Sequence, residues 1–188
     1  RNKELEIIVL YSGGYTKQFY LREISRLSKI PLKTTQTTNA SLEKRSILKS
    51  TVKGKNKYFK LNLDNIQTKF LILESEIYKT ALFLERYTPF KTFLKEIKTN
   101  NALIVFGSFA KFKADEDSDL DLFIIQKEKK NLPMHLLPYK IHEIVLNESS
   151  FLNSIEKQEI LVKEVEENHI ILNNHSFYVN AMWDYYGK

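Results

Sequence analysis

The sequence predicts an α+β chain in two parts, a small helical unit closing on a hairpin and then a small α/β domain. Three observations predict it. Apolar residues at helical spacing mark two helices in the first 28 positions, two β-like runs follow a third helix around a glycine turn, and short apolar runs then alternate with helical stretches. Length agrees, since 188 residues can bury one ordinary core or two small ones. Hydrophobic residues at 43% and charged residues at 28% exclude a disordered or collagen-like chain.

The elements follow in order. Leu5, Ile8 and Tyr11 mark a first helix that Ser12-Gly13-Gly14 stops, and Leu21, Ile24 and Leu27 mark a second that takes in Tyr20. Ile30-Pro31 interrupts, because proline disfavours helical geometry in the residue before it and suits a helix's first turn, so a third helix runs from Leu32 to Lys44. Residues 47–52 and 57–61 read as strands around Lys53-Gly54-Lys55-Asn56, which has turn chemistry.

Helix, helix, turn, helix and hairpin is the order of a winged helix-turn-helix, and the stretches 20–30 and 39–48 resemble that family. By that resemblance Lys33, Thr34, Gln36, Thr37 and Asn39 face the major groove of double-stranded DNA, while Lys53, Lys55 and Lys57 contact phosphates. Charge agrees: residues 1–63 hold 14 basic and 4 acidic side chains, +10, whereas the remainder holds 15 basic and 19 acidic, −4. Solvated lysines alone would give the same count, and the winged unit would then contact protein.

Ile66, Phe70, Leu73, Ile77, Ala81 and Leu84 then recur at spacings of four, three, four, four and three, a helix with a coiled-coil-like seam. Two uses stay open, a homodimer helix or a linker packed on its own domain. Thr88-Pro89 ends it, and a further helix spans 90–98. The domain plan is therefore 1–65, a linker helix over 66–87, and 88–188.

The apolar run Ala102–Phe106 ends in Gly107-Ser108, and Ser118-Asp119-Leu120-Asp121-Leu122 opens the next. On a strand Asp119 and Asp121 share one face, so their carboxylates form a hard oxygen pair whose mutual repulsion a divalent cation relieves. Gly107 permits close approach of backbone to phosphates, and amides opening the next helix supply donors.

Gly107, Ser108, Ala110, Ala114, Ser118, Asp119, Asp121 and Leu122 fall without a gap on the pattern GSxARGxAxxxSDxDLxV. The segment thus resembles the minimal nucleotidyltransferases of the DNA polymerase beta superfamily, and the domain pair resembles archaeal winged-helix-fused nucleotidyltransferases. The resemblance implies a mixed sheet, an NTP as substrate, Mg²⁺ or Mn²⁺ on Asp119 and Asp121, and nucleotide contacts from Gly107, Ser108, Lys111 and Ser118. Lys111 stands where the family has arginine, and Phe112 where it has a second glycine.

A third carboxylate on a later strand is also implied, and residues 140–146 offer Glu143 as a catalytic metal ligand. A shift of one residue puts His142 in that place instead, and the register stays open. His135, His169 and His175 lack ligand spacing and read as structural or surface residues.

The activity implied is transfer of a nucleoside monophosphate to an acceptor hydroxyl, on a partner protein by likeness to antitoxin members that adenylylate a toxin. The alternative is a DNA-binding regulator whose transferase fold senses nucleotide or is inactive. Absence of a long apolar run and of a signal-like start predicts a cytoplasmic protein without membrane contact. With no cysteine, disulfides, thiolate zinc sites and thiol nucleophiles are excluded.

Overall fold

The computed structural model describes residues 2–188 and divides the chain into two compact units. One comprises the chain up to Ser75 with Trp183–Lys188, and the other is Glu76–Met182. The division falls inside two helices, Ile66–Arg86 and His175–Tyr186.

In the first unit α1 (Lys3–Ile8) begins at Asn2, whose side chain accepts from the amides of Glu4 and Leu5. A 3₁₀ turn, Val9–Tyr11, completes the first predicted helix. The second begins one residue later than its pattern suggested, because Tyr20 belongs with Phe19 to a short strand, β1, ahead of α2 (Leu21–Ser28). Two residues are too few for a periodic signal. Helix α3 (Leu32–Lys44) starts after Pro31, and the hairpin β2 (Leu48–Lys53) and β3 (Asn56–Leu61) turns at Gly54, whose φ is +60°. The antiparallel sheet runs β1-β3-β2. Ile7, Ile8, Tyr11, Ile24, Leu42, Ile47 and Phe59 are buried, and the Tyr11 hydroxyl donates to the Phe59 carbonyl at 3.1 Å.

On α3 the buried residues are Thr35, Asn39 and Leu42, four and three apart, so one stripe of the helix is internal. Asn39 lies on it at 1% exposure, and its assignment to the DNA-reading face is therefore corrected. Lys33, Gln36 and Thr37 are exposed and Thr34 is half-buried.

Helix α4 (Ile66–Arg86) follows. In the second unit come α5 (Pro89–Glu96), β4 (Ala102–Phe106), α6 (Gly107–Ala110), β5 (Leu120–Gln126), β6 (Ile141–Asn147), α7 (Glu148–Glu156), α8 (Ile160–Glu167), β7 (Ile170–Asn173) and the start of α9 (His175–Tyr186), whose end from Trp183 belongs to the first unit. The sheet is mixed, in the order β6-β5-β4-β7, with β4 antiparallel to both neighbours and β5 parallel to β6. Every residue of β4 is buried, as befits a central strand flanked on both sides. Phe83, Phe90, Phe93, Leu103, Val105, Phe109, Leu120 and Leu122 form one core cluster on one face of this sheet.

A polar group sits inside this unit. Glu76 is fully buried, with Lys79 Nζ 2.9 Å from Oε2 and His169 Nε2 3.2 Å from Oε1. Burial alone would raise the Glu76 pKa, but the charges and hydrogen bonds of Lys79 and His169 outweigh it and hold the carboxyl at about 2. Nearby, His175 Nε2 lies 2.9 Å from Thr80 Oγ1, and burial depresses the His175 pKa. Among the described residues no helix is long and apolar enough to cross a membrane.

Candidate functional site

The candidate site is built where β4 gives way to α6. Phe106 pairs with Asp121 across β4 and β5, so Gly107, the next residue, stands beside the Asp121 carboxylate. Gly107 has φ +68°, and a Cβ placed on it would come within 2.1 Å of Asp121 Oδ2. Only a residue without a side chain fits between that backbone and that carboxylate. Sequence reasoning gave Gly107 the role of admitting phosphates; the immediate neighbour it admits is Asp121.

Parallel pairing of β5 with β6 fixes the register that the sequence left open. Leu120 stands opposite Ile141, Asp121 opposite His142 and Leu122 opposite Glu143. His142 Nδ1 lies 3.2 Å from Asp121 Oδ1. Glu143 takes the other face, where it lines a pocket with Gln126, Lys130, Met134 and Val145. The assignment of Glu143 as third carboxylate is corrected on this ground, since alternate residues of a strand face opposite sides.

One position before β5, Asp119 Oδ2 accepts from Lys140 Nζ at 2.8 Å. Hydrogen bonding to Asp119, with its charge, raises the Lys140 pKa, although both side chains are open to solvent. Asp119 is thus met by the residue just before β6, and Asp121 by His142 within it. Lys140 had no role in the sequence reading, yet a signal existed: Lys140-Ile-His142 against Asp119-Leu-Asp121 matches base to acid, apolar to apolar and imidazole to acid, and the match ends at Glu143 opposite Leu122.

The remaining candidates are placed as follows. Ser118 Oγ donates to Asp115 Oδ1 at 2.6 Å and accepts from the Asp115 amide, so its hydroxyl closes the loop before Asp119. Lys111 is exposed just after α6, and Ser108 lies in α6 half-buried, its carbonyl accepting from the Lys113 amide. Helix α6 has four residues, so the helix-dipole contribution assumed for it is that of a single turn. Phe112 holds φ +56°, a left-handed backbone that suits glycine, and its ring packs against Phe83 and Tyr87.

Metal fit follows from the donors present. Asp119 and Asp121 offer hard carboxylate oxygens, but among the described residues no three acidic or histidine side chains are grouped to hold an ion. A cation here would draw its other ligands from water and from substrate phosphates.

In the first unit Lys53 and Lys55 are exposed on the hairpin, with Lys53 Nζ 3.0 Å from Gln18 Oε1. Lys57 Nζ is bound by Glu43 Oε2 at 2.7 Å, and that pairing together with Ser50 lowers the Glu43 pKa. Lys57 therefore reaches a phosphate only by leaving a carboxylate.

Residues 90–177 match the family described as Polymerase beta, Nucleotidyltransferase. The match supports a nucleotidyltransferase domain over this segment, which holds Gly107, Asp119, Asp121 and His142. No curated protein and no solved structure matches the chain.

Proposed function

We propose that the second unit transfers a nucleoside monophosphate from an NTP to an acceptor hydroxyl, with release of pyrophosphate. The observation that carries this reading is the close approach of Gly107 to Asp121 at the end of β4, inside the segment that matches the nucleotidyltransferase family. Asp119 and Asp121 would hold Mg²⁺ or Mn²⁺, which when bound supplies charge neutralisation for the triphosphate and a Lewis acid for the reacting oxygens. The turn at Gly107-Ser108 lets the triphosphate come up to the backbone, and Lys111, exposed just beyond, meets its negative charge. The acceptor we favour is a hydroxyl on a partner protein.

For the first unit we propose duplex DNA as the ligand, read by a winged helix-turn-helix. Support comes from the helices α1 to α3 followed by the β2–β3 hairpin, from exposed Lys33, Gln36 and Thr37 on α3, and from exposed Lys53 and Lys55.

One observation favours a second reading. His142 occupies the position opposite Asp121 where a third carboxylate would stand, and an imidazole is a poorer Mg²⁺ ligand than a carboxylate. On that reading the unit binds nucleotide without transferring it, and the chain is a DNA-binding regulator.

Incubation of the chain with each labelled NTP, Mg²⁺ and its cell extract tests both. Label carried onto protein, with pyrophosphate released, supports transfer. Metal-dependent nucleotide binding without pyrophosphate supports sensing, and absence of both removes the site assignment. Asp119→Asn with Asp121→Asn is the control, and it should abolish whichever signal is seen.

A further inference from the structure

Helix α4 carries a second apolar stripe besides the one it buries. Its buried positions are Leu71, Ile72 and Phe83 together with Thr68, Ser75, Glu76, Lys79 and Thr80, whereas Ile66, Phe70 and Ile77 are 56%, 60% and 51% exposed. Leu73 between them is half-exposed and Ala81 is exposed, while Leu84 packs partly against the core that holds its neighbour Phe83. Apolar and polar residues share the covered side, and a second set of large apolar residues lies on the open one. A helix that merely linked or packed on its own chain would need only the buried stripe and would be polar on the open side.

Ile66, Phe70, Leu73 and Ile77 are four, three and four residues apart, which are successive d, a, d and a positions of a heptad. This spacing is complementary to another helix carrying the same repeat, because each apolar side chain fits a hole between four residues of the facing helix. The flanking charges say which helix. Lys69 and Glu74 are five residues apart, so about 100° per residue puts them on opposite flanks of the stripe. They are the g position and the e position of the following heptad. In a parallel two-stranded coil these two positions meet across the pair, Lys69 of one copy against Glu74 of the other, and twofold symmetry makes the contact twice. Within the chain, among the described residues, no ion pair engages either side chain.

We infer that α4 is the dimerisation helix of this protein and that its occupant is α4 of a second copy, parallel and in register. The inference rests on α4 alone and holds whether or not the second unit transfers nucleotides. The exposed seam covers about two heptads, so the dimer is concentration-dependent rather than permanent.

Sedimentation of the full chain over a concentration series is the first test, and it should show exchange between the 22.2 kDa chain and a species of twice that mass. Phe70→Glu should raise the dimer Kd by at least about tenfold. Phe70 is open to solvent, and circular dichroism of the variant confirms that the fold is kept. Lys69→Glu alone and Glu74→Lys alone should each weaken the dimer, and the two together should restore it. Because the chain has no cysteine, Ile66→Cys reports orientation. Parallel copies oxidise to a covalent dimer through position 66, while antiparallel copies do not. A chain that stays monomeric up to its solubility limit overturns the proposal, as does a dimer indifferent to Phe70→Glu or a charge exchange that fails to restore. A monomer that binds lipid vesicles through the stripe overturns it equally.

Discussion

His142 Nδ1 sits 3.2 Å from Asp121 Oδ1, whereas Glu143, the next residue, faces the other side of the same sheet. One residue of register separates a site of three carboxylates from a site of two and an imidazole. The chemistry of β6 therefore turns on which of two neighbours stands opposite Asp121.

This relationship makes a gain-of-function prediction. His142→Asp places a carboxylate opposite Asp121 and should tighten Mg²⁺-dependent NTP binding by about tenfold, raising turnover as well if transfer occurs. Glu143→Gln should leave both unchanged. Calorimetry with NTP and Mg²⁺ on the three proteins decides it, and a loss on Glu143→Gln would return the site to the other face.

Gly107→Ala should cost about 1–2 kcal/mol of stability for its positive φ alone, and more because the new methyl would displace the Asp121 carboxylate. Nucleotide binding should fall further than stability does. Thermal unfolding with and without NTP and Mg²⁺ separates the two effects, because ligand stabilisation disappears only if the carboxylate has moved.

The internal Glu76 predicts acid sensitivity. Its folded pKa of about 2 lies below its ordinary value of 4.5, so the stability it contributes is complete above about pH 5 and is lost as pH falls towards 2. The shift corresponds to about 3 kcal/mol. Depression of the His175 pKa acts in the same direction, starting nearer its ordinary 6.5. Glu76→Gln should therefore flatten the acid limb of the stability curve while destabilising the protein near neutrality, since buried Lys79 then lacks its counter-charge. Denaturant midpoints measured between pH 7 and pH 3 give both quantities. A variant as stable as the parent at neutral pH would show that Lys79 finds another partner.

If the first unit binds duplex DNA, affinity of the full chain should fall with salt at a logarithmic slope of about −0.9 per phosphate neutralised. Lys53→Ala with Lys55→Ala should flatten that slope, whereas Gln36→Ala should change sequence preference. Asn39→Ala should affect stability rather than preference, because Asn39 is internal. Electrophoretic shifts over a salt series test all three.

How much the sequence disclosed depended on what kind of signal each feature leaves. Strands β4 and β5 and the turn at Gly107 were legible because two apolar runs flank a glycine and an alternating acid pair, all within local reach. Register between β5 and β6 was not, since the two strands are joined by a long loop and their pairing is a tertiary choice. Asn39 looked polar and therefore external, but the stripe at Thr35 and Leu42 carried it inside. For α4 the apolar spacing was visible while its direction was not: periodicity finds the stripe, and only packing tells whether it is covered.

Phe112 holds its left-handed backbone at a cost that the rings of Phe83 and Tyr87 offset. The shape of the loop between α6 and Asp119 is consequently conditional on two side chains from outside it. In evolutionary terms the three aromatics would then be expected to change together. Among related chains a glycine at position 112 would free 83 and 87 to drift, whereas an aromatic at 112 would tie them. Linked substitution at these three positions, absent from neighbouring surface sites, is the trace that this dependence would leave.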